Sequence, residues 1–340
     1  MRRVALVGLG MAAAPHAKSL LDLSDRVEVA YAFSPSARRR DAFAAKFAFP
    51  LTDRLEPILE DRSIDAVLLL TPPNTHLELV QRCAAARKHV LLEKPLEVST
   101  VRAEKLVAAM KGLKLGVVLQ HRFRPAVERL RTVDLGTIVS ASCTMPLWRP
   151  QKGYYDQPGR GTKARDGGGV LLTQGIHTLD VFLSLVPEVA EVKSFATTTP
   201  VHRMETEDLA VAALKFANGA LGVLHATTAA YPGFPERIDL IGTKGTAILQ
   251  GTSLEVRFQD GESLHLATEA GGGGTGADPM AFPHDWHRGV LADFLAALDQ
   301  DREPRVSGAE ALKVHRFIDR LLQEPQACSG RRRKPSPKRR

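Results

Sequence analysis

Three short segments of the chain carry residue types whose spacing can do chemistry. The first, Glu93-Lys94-Pro95, closes the apolar stretch His89-Val90-Leu91-Leu92. A lysine there stands at the carboxyl end of a buried strand, the edge of an open α/β sheet where ligands bind. Pro95 has a fixed φ and no N–H, so the strand stops and the ammonium is aimed out of the sheet. In isolation, a surface Glu-Lys pair before a turn would read the same way. The second segment, Gly8-Leu9-Gly10-Met11-Ala12-Ala13, follows the apolar run Arg3–Val7 and precedes a helical stretch from Pro15 to Leu23. It is a dinucleotide fingerprint with alanine in the third place. Gly8 permits the tight turn, Gly10 lets backbone approach a pyrophosphate, and Ala13 permits close helix–strand packing. A signal peptide, with Arg2-Arg3 as its basic region and Ala12-Ala13-Ala14 as its cleavage site, is the rival reading. Gly8 and Gly10 break the apolar run that it needs.

The third segment runs from Asp166-Gly167-Gly168-Gly169 into Val170–Asp180. It reads as a glycine loop entering a helix, with Thr173, His177 and Asp180 on one face and Gln174 paired to His177 beside it. A polar face in so apolar a helix has two readings: a core histidine hydrogen-bonded to Asp180, or one wall of a site. His284-x-x-His287 with Asp285 offers metal-ligand types, but no third ligand is suggested, and no metal site is expected. No serine-hydrolase elbow is present.

The elements that must position these groups follow from periodicity. Residues 1–121 alternate apolar runs with helical stretches, the mark of βαβ units. Strands are predicted at Arg3–Val7, Val27–Phe33, Ile64–Leu70, His89–Leu92 and Lys114–Gln120, and helices at Ala37–Phe47, Thr75–Ala86 and Val101–Met110. The loop Thr71-Pro72-Pro73-Asn74-Thr75-His76 leaves its strand at the carboxyl end and is expected to line a cofactor crevice. Residues 122–325 form a second unit with one helix, Val170–Leu185, and strands from Val192 onward. There Asn218-Gly219 predicts a type I′ hairpin, and further strands are predicted at Arg237–Ile241, Thr246–Leu249, Leu254–Phe258 and Ser263–Leu266. Two late helices, within 284–322, are expected to pack back toward the first unit. Ala270–Gly276 reads as a flexible loop. The fold class is α/β: a doubly wound parallel sheet, then an α+β unit with a large open antiparallel sheet.

A chain of 340 residues, 44% hydrophobic and 25% charged, is long enough for two such cores and ordinary for a globular protein. The net charge of +8 misleads, because seven positive charges sit in Arg331–Arg340. That stretch is too charged and proline-broken to fold, so residues 326–340 read as a disordered basic tail. The body is nearly neutral and gives no sign of binding nucleic acid, and no apolar run approaches the ~20 residues of a membrane span. Cys83, Cys143 and Cys328 are isolated and odd in number, which excludes a disulfide framework and fits the cytoplasm.

Taken together, the Gly-x-Gly opening, Glu93-Lys94-Pro95, the Gly-Gly-Gly…His…Asp segment and the late Arg302-Glu303-Pro304…Gly308 resemble the Gfo/Idh/MocA family (glucose–fructose oxidoreductase, inositol dehydrogenase, MocA). The likeness covers all but the tail. It implies an NAD- or NADP-dependent oxidoreductase acting on a CH–OH group of a sugar, cyclitol or nucleotide-linked sugar, and a homo-oligomer joined through the open sheet. Lys94 and His177 become the catalytic pair. Cofactor contacts fall to Gly8, Leu9, Gly10, Met11, Ala12, Ser34, Arg38, Thr71, Pro72, Asn74, His76, Glu93 and Lys94. Substrate contacts fall to Lys94, Arg122, Tyr154, Arg160, Thr173, Gln174, His177 and Asp180. His177 is the first choice for general base, since imidazole titrates near neutrality. Lys94 then stabilises the substrate oxygen, and the two roles are exchangeable.

Three positions depart from the family pattern. Thr173 replaces an acid or amide four residues before the histidine, which removes a carboxylate-assisted relay. Ser34 replaces the acid that holds the ribose hydroxyls, and with Arg38 and Arg39 nearby it leans the cofactor toward NADP. Arg87 replaces a glycine before Lys88-His89-Val90. Tyr154-Tyr155…Arg160-Gly161-Thr162 with Gln174 resembles members that act on nucleotide-linked sugars. A nucleotide-sensing regulator and an NAD-assisted glycoside hydrolase are the alternatives that the family offers.

Overall fold

The computed structural model describes residues 1–267 and 283–323. The predicted flexible loop Ala270–Gly276, the basic tail and Cys328 lie outside the described residues. The first sheet consists of β1 (Arg2–Val7), β2 (Val27–Phe33), β3 (Leu51–Thr52), β4 (Ala66–Leu69), β5 (His89–Glu93) and β6 (Leu115–Val118), all parallel, in the order β3-β2-β1-β4-β5-β6. Val4–Val7 and the whole of β4 are inaccessible to solvent. Parallel strands covered on both faces read as unbroken apolar runs, and these do. Helices α1 (Ala13–Asp22), α2 (Ala37–Ala44), α3 (Glu56–Glu60), α4 (His76–Ala85) and α5 (Thr100–Ala109) connect them. The chain winds outward to β3, then crosses back to lay β4 on the other side of β1. The loops after β1 and β4 therefore part at this switch point and open a crevice. Periodicity predicted neither β3 nor α3, because two and five residues are too few for a pattern to register.

After α6 (Pro125–Leu130) the second sheet begins with β7 (Ile138–Pro146), leaves through α7 (Val170–Thr173) and α8 (Ile176–Leu185), and returns as β8 (Val189–Thr197). β9 (Leu209–Phe216), β10 (Leu221–Thr227), β11 (Arg237–Gly242), β12 (Gly245–Gln250), β13 (Ser253–Phe258) and β14 (Ser263–Leu266) complete the order β14-β13-β12-β11-β7-β10-β9-β8. The sheet is mixed rather than purely antiparallel. The meander β8-β9-β10 brings β10 beside β7 in the same direction, and every other pair is antiparallel. β7, the strand that joins both halves, was not predicted. Its inward residues Ala141, Cys143 and Met145 alternate with Ser140, Ser142 and Thr144, a contrast too weak to stand out.

Two local expectations are corrected. The β9–β10 turn is a three-residue loop in which Gly219 has φ +87° and its N–H donates to Phe216 O. Asn218 lacks the positive φ that a type I′ turn requires, so the turn is of another type. The helix predicted across Val170–Leu185 breaks at Gln174-Gly175, where Gly175 N–H donates back to Val170 O at 2.7 Å. Thr173 therefore does not share a continuous helical face with His177 and Asp180.

The final helices tie the two sheets together. α9 (Asp285–Asp299) lays Val290, Leu291, Phe294 and Leu295 against Val4, Leu6 and Leu20. α10 (Gly308–Leu322) starts at Ser307, whose Oγ accepts from Glu310 N–H, and reaches β8 through Ser194 Oγ donating to Leu321 O. Among the described residues, no helix is long and apolar enough to cross a membrane.

Candidate active site

A cleft of about 890 Å³ opens at the carboxyl ends of β1, β4 and β5 and continues onto the β7–α7 segment of the second sheet. Its floor on the nucleotide side is the Gly8–Ala12 turn. Gly8 has φ +107°, and a Cβ there would stand 2.8 Å from the Leu70 backbone, so only glycine closes this turn over β4. A Cβ on Gly10 would meet no protein atom within 4 Å. The space beside Gly10 belongs to the cleft, and the uncapped N-terminus of α1 faces it. Backbone N–H groups at a helix start, bordering an open cradle, fit a pyrophosphate.

The expected cofactor residues divide. Gly8, Gly10, Met11, Ala12, Ser34, Thr71, Pro72, Asn74, Glu93 and Lys94 all line the cleft. Three others do not. Leu9 packs its side chain into the core, so only its backbone is available to a ligand. Arg38 points to solvent from α2, and Arg39 lines the cleft in its place. His76 is fully buried, with ring nitrogens 2.8 Å from Thr71 O and 3.1 Å from Pro95 O. It braces the Thr71 loop against the Glu93-Lys94-Pro95 turn.

The expected substrate residues divide as well. Lys94 Nζ donates to the Thr173 carbonyl at 2.8 Å. The helix break leaves that carbonyl available, since helix-end carbonyls have no partner of their own. Upstream, Glu207 holds the start of α7: its carboxylate accepts from Gly169 N–H and Leu171 N–H, and its carbonyl from Val170 N–H. A Cβ on Gly169 would stand 1.7 Å from that carbonyl, so the third glycine of the loop serves close approach. Thr173 Oγ1 donates to Gln174 Oε1, and Gln174 Nε2 donates to Tyr154 Oη at 2.8 Å. Arg160 and Arg149 lie over the Tyr154 ring, 5.0 and 5.8 Å from its centroid. Arg122 and Asp180 do not reach the cleft. They form a buried bidentate pair at 2.6 and 2.7 Å, so Asp180 is not the partner of His177.

His177 lines the cleft with its Nδ1 buried and no hydrogen-bond partner among the described residues. Its ring stacks on His121 with centroids 4.7 Å apart. His121 Nε2 accepts from Arg124 Nη2 at 2.6 Å, and Arg124 is anchored to Glu236 at 2.5 Å. Burial, with Lys94, Arg124 and His287 nearby, holds the His177 imidazolium well below its ordinary range, so His177 is neutral. Burial also pulls Lys94 down to about 8, with Arg160 and Arg149 adding to the effect and Glu93 opposing it. Glu93 accepts from His16 Nε2 at 2.8 Å and from Lys94 N–H.

Sequence reasoning passed over His16, His121, Arg149 and the cleft role of His287. His16, Glu93 and His287 bring ligand atoms within 4.8 Å of one another, whereas His284 turns away to Asp22. His284 and His287, which offered metal-ligand types side by side in the sequence, thus face different neighbours. No local pattern pointed to His16 or His121, each of which acquires its place through contacts distant in sequence.

Comparison with known proteins agrees with this geometry. A family model described as "Oxidoreductase family, NAD-binding Rossmann fold" matches residues 2–121, and the GFO/IDH/MocA C-terminal domain matches residues 123–248. The chain belongs to the Gfo/Idh/MocA family. It is similar to the myo-inositol 2-dehydrogenase of Thermotoga maritima, 30% identical over 72% of this chain and 73% of that one. It is also similar to the scyllo-inositol 2-dehydrogenase (NAD(+)) of Bacillus subtilis, 27% identical over 73% of each. Among solved structures, the WlbA dehydrogenase from Bordetella pertussis in complex with NADH and UDP-GlcNAcA superposes with a TM-score of 0.78 at 25% identity, covering 94% of both chains. This Gfo/Idh/MocA member is thus an NAD(P)-dependent oxidoreductase acting on CH–OH groups, on an NAD-binding Rossmann unit.

Proposed function

We propose that the protein moves hydride between a nicotinamide and a hydroxyl-bearing carbon of a sugar-like substrate, with Lys94 as the proton acceptor and His177 as its neutral hydrogen-bonding companion. The observation that carries this reading is the Lys94 environment: a buried amine at a cleft wall, tied to Thr173 O, with its ammonium drawn down to about 8. A general base works best with a pKa near the operating pH, and Lys94 meets that condition better than His177. His177 was the first choice from sequence. Without a carboxylate at position 173 or a partner on Nδ1, an imidazolium there has nothing to stabilise it.

When bound, the nicotinamide supplies the hydride acceptor or donor. The chain's own residues do the rest. Gly8–Ala12 and Thr71–Asn74 hold the dinucleotide, with Glu93 beside them. Tyr154 and Gln174, linked to each other and to Thr173, orient substrate hydroxyls. Arg39 reaches a ribose 2′-phosphate, and Ser34, whose Oγ accepts from Ser36 N–H, carries no charge to repel it, which favours NADP. The nucleotide-binding unit ends near residue 121. Cys83 and Cys143 are buried free thiols, in keeping with the cytoplasm.

We further infer a homo-oligomer. Phe195, Val211, Leu221 and Val223 are exposed on one face of the second sheet, with Phe195 and Val211 directly opposite each other in register. Contiguous exposed apolar surface of this kind marks an association site. A second copy of the chain fits it, since the other face of the sheet already covers the core. No observation favours a regulator or a glycoside hydrolase.

The test is a screen of sugars, cyclitols and sugar nucleotides with NAD and NADP, following reduced cofactor at 340 nm as an order-of-magnitude rate assay. Cofactor binding without turnover of any polyol would overturn the catalytic reading.

A further inference from the structure

A buried ion pair beside His121, Arg124 with Glu236, has no part in the reaction as derived above. The Arg124 guanidinium lies over the Trp286 ring, 4.5 Å from its centroid. It donates to Glu236 Oε1, to Gly251 O and, at 2.6 Å, to His121 Nε2. A guanidinium has only hydrogens to give, so His121 Nε2 is the bare nitrogen of its ring. The ring proton is then on Nδ1, which faces the same Glu236 oxygen across 3.7 Å. His121 is thereby held as one neutral tautomer. His177 stacks on that ring with 29° between the planes. Its own Nδ1 has no hydrogen-bond partner among the described residues, so the stack is what sets the plane of the imidazole.

We propose that Arg124 and Glu236 are positioning residues: they clamp His121 in its neutral form, and the neutral ring holds His177 in place against the substrate. This rests on the reading of His177 as the companion of Lys94 and adds what fixes it there. A buried carboxylate needs a cation, and Arg124 supplies one from outside the stack. Without Arg124, Glu236 would draw a proton onto His121 instead. The resulting imidazolium would turn toward Glu236 and set a positive charge against His177. In the intact site burial, then Arg124, His177, Lys94 and His287, hold the His121 imidazolium far below its ordinary range. Burial, then Lys94, Arg124 and His287, do the same for His177, and Glu236 is the carboxylate that faces His121.

The experiment follows carbon-13 histidine ring signals of the full chain from about pH 5 to 8, where a free imidazole titrates. In the wild type neither ring should titrate. Arg124→Met should bring one new titration, and adding His121→Phe should abolish it, which assigns it to His121. Arg124→Met with Glu236→Gln leaves no lone buried carboxylate, and the titration should again be absent. At pH 7, kcat of Arg124→Met should fall roughly 10–100-fold, the size of a misplaced catalytic group, with KM and cofactor affinity within a few-fold. The deficit should narrow as pH rises and His121 gives up its proton. The double variant and Arg124→Lys, which keeps the cation, should each recover part of kcat. Cofactor titration shows which variants are folded, and Arg124→Gln repeats the test if the methionine is not tolerated. The titration needs no substrate, so this inference and the catalytic reading fail separately. If His121 stays silent in a folded Arg124→Met or Arg124→Gln, the inference fails and the dehydrogenase reading stands. If His121 titrates and kcat at pH 7 is unchanged, the pair is structural only and the inference fails as well.

Discussion

Lys94 Nζ donates to the carbonyl of Thr173 across 2.8 Å, joining the end of β5 to the helix break of the second sheet. One hydrogen bond thus couples the strand-end lysine of the nucleotide unit to the segment that carries Gln174 and His177. The amine is held at the junction of the two sheets, where cofactor and substrate must meet.

Lys94→Ala is expected to lower turnover ~10²–10⁴-fold, the usual weight of a lost acid–base contribution. His177→Ala should also reduce turnover while leaving cofactor affinity within a few-fold. Single-turnover rates beside a cofactor titration measure both. Wild-type turnover in the His177 variant would make it a core histidine.

The pH dependence separates the two roles. If Lys94 accepts the proton it must be deprotonated, so kcat/KM for alcohol oxidation should rise with pH through about 8 and then level off. The reverse reduction should fall over the same range. A profile that is already flat below neutrality and declines above 8 would instead make His177 the base and Lys94 a required cation.

Gly10→Val and Gly8→Ala should fail differently. The Gly10 side chain would enter open cleft, so melting temperature holds while NAD(P)H fluorescence binding is lost. Gly8→Ala forces a positive φ and a clash with the Leu70 backbone, and stability should fall with binding.

Arg122→Leu leaves Asp180 buried without its guanidinium and is expected to cost about 3–5 kcal/mol in denaturant unfolding. The double change Arg122→Leu, Asp180→Leu should recover much of it. A single variant that loses turnover at full stability would place Arg122 in the substrate site after all.

Cofactor choice is tested by titrating NADH and NADPH. Arg39→Ala should weaken NADPH selectively, and Arg38→Ala should not, because Arg39 lines the cleft and Arg38 faces solvent. Ser34→Asp should shift preference toward NADH. Equal responses of both cofactors to Arg39→Ala would end the NADP reading.

The sequence by itself determined the nucleotide unit and the place of its lysine. Apolar runs buried on both faces, glycines at a strand-to-helix turn and a proline after Lys94 are local constraints that appear in the order of the residues. They located β1, β2 and β5 to within a residue or two. Weak alternation hid β7, and an apolar helical pattern hid the break at Gln174-Gly175, where Gly175 N–H turns back to Val170 O while Glu207, from the segment before β9, holds the start of α7. The same limit applies to the site. Helical spacing placed Thr173, His177 and Asp180 together, but Arg122 from the first sheet's exit segment claims Asp180, and Lys94 claims the Thr173 carbonyl. His121 reaches His177, and Arg39 replaces Arg38, only through the way helices and loops are laid across the sheets. Periodicity reports which side of an element is buried. Which charged group meets which, and so which amine is desolvated, depends on contacts between residues far apart in the chain, and only packing decides them.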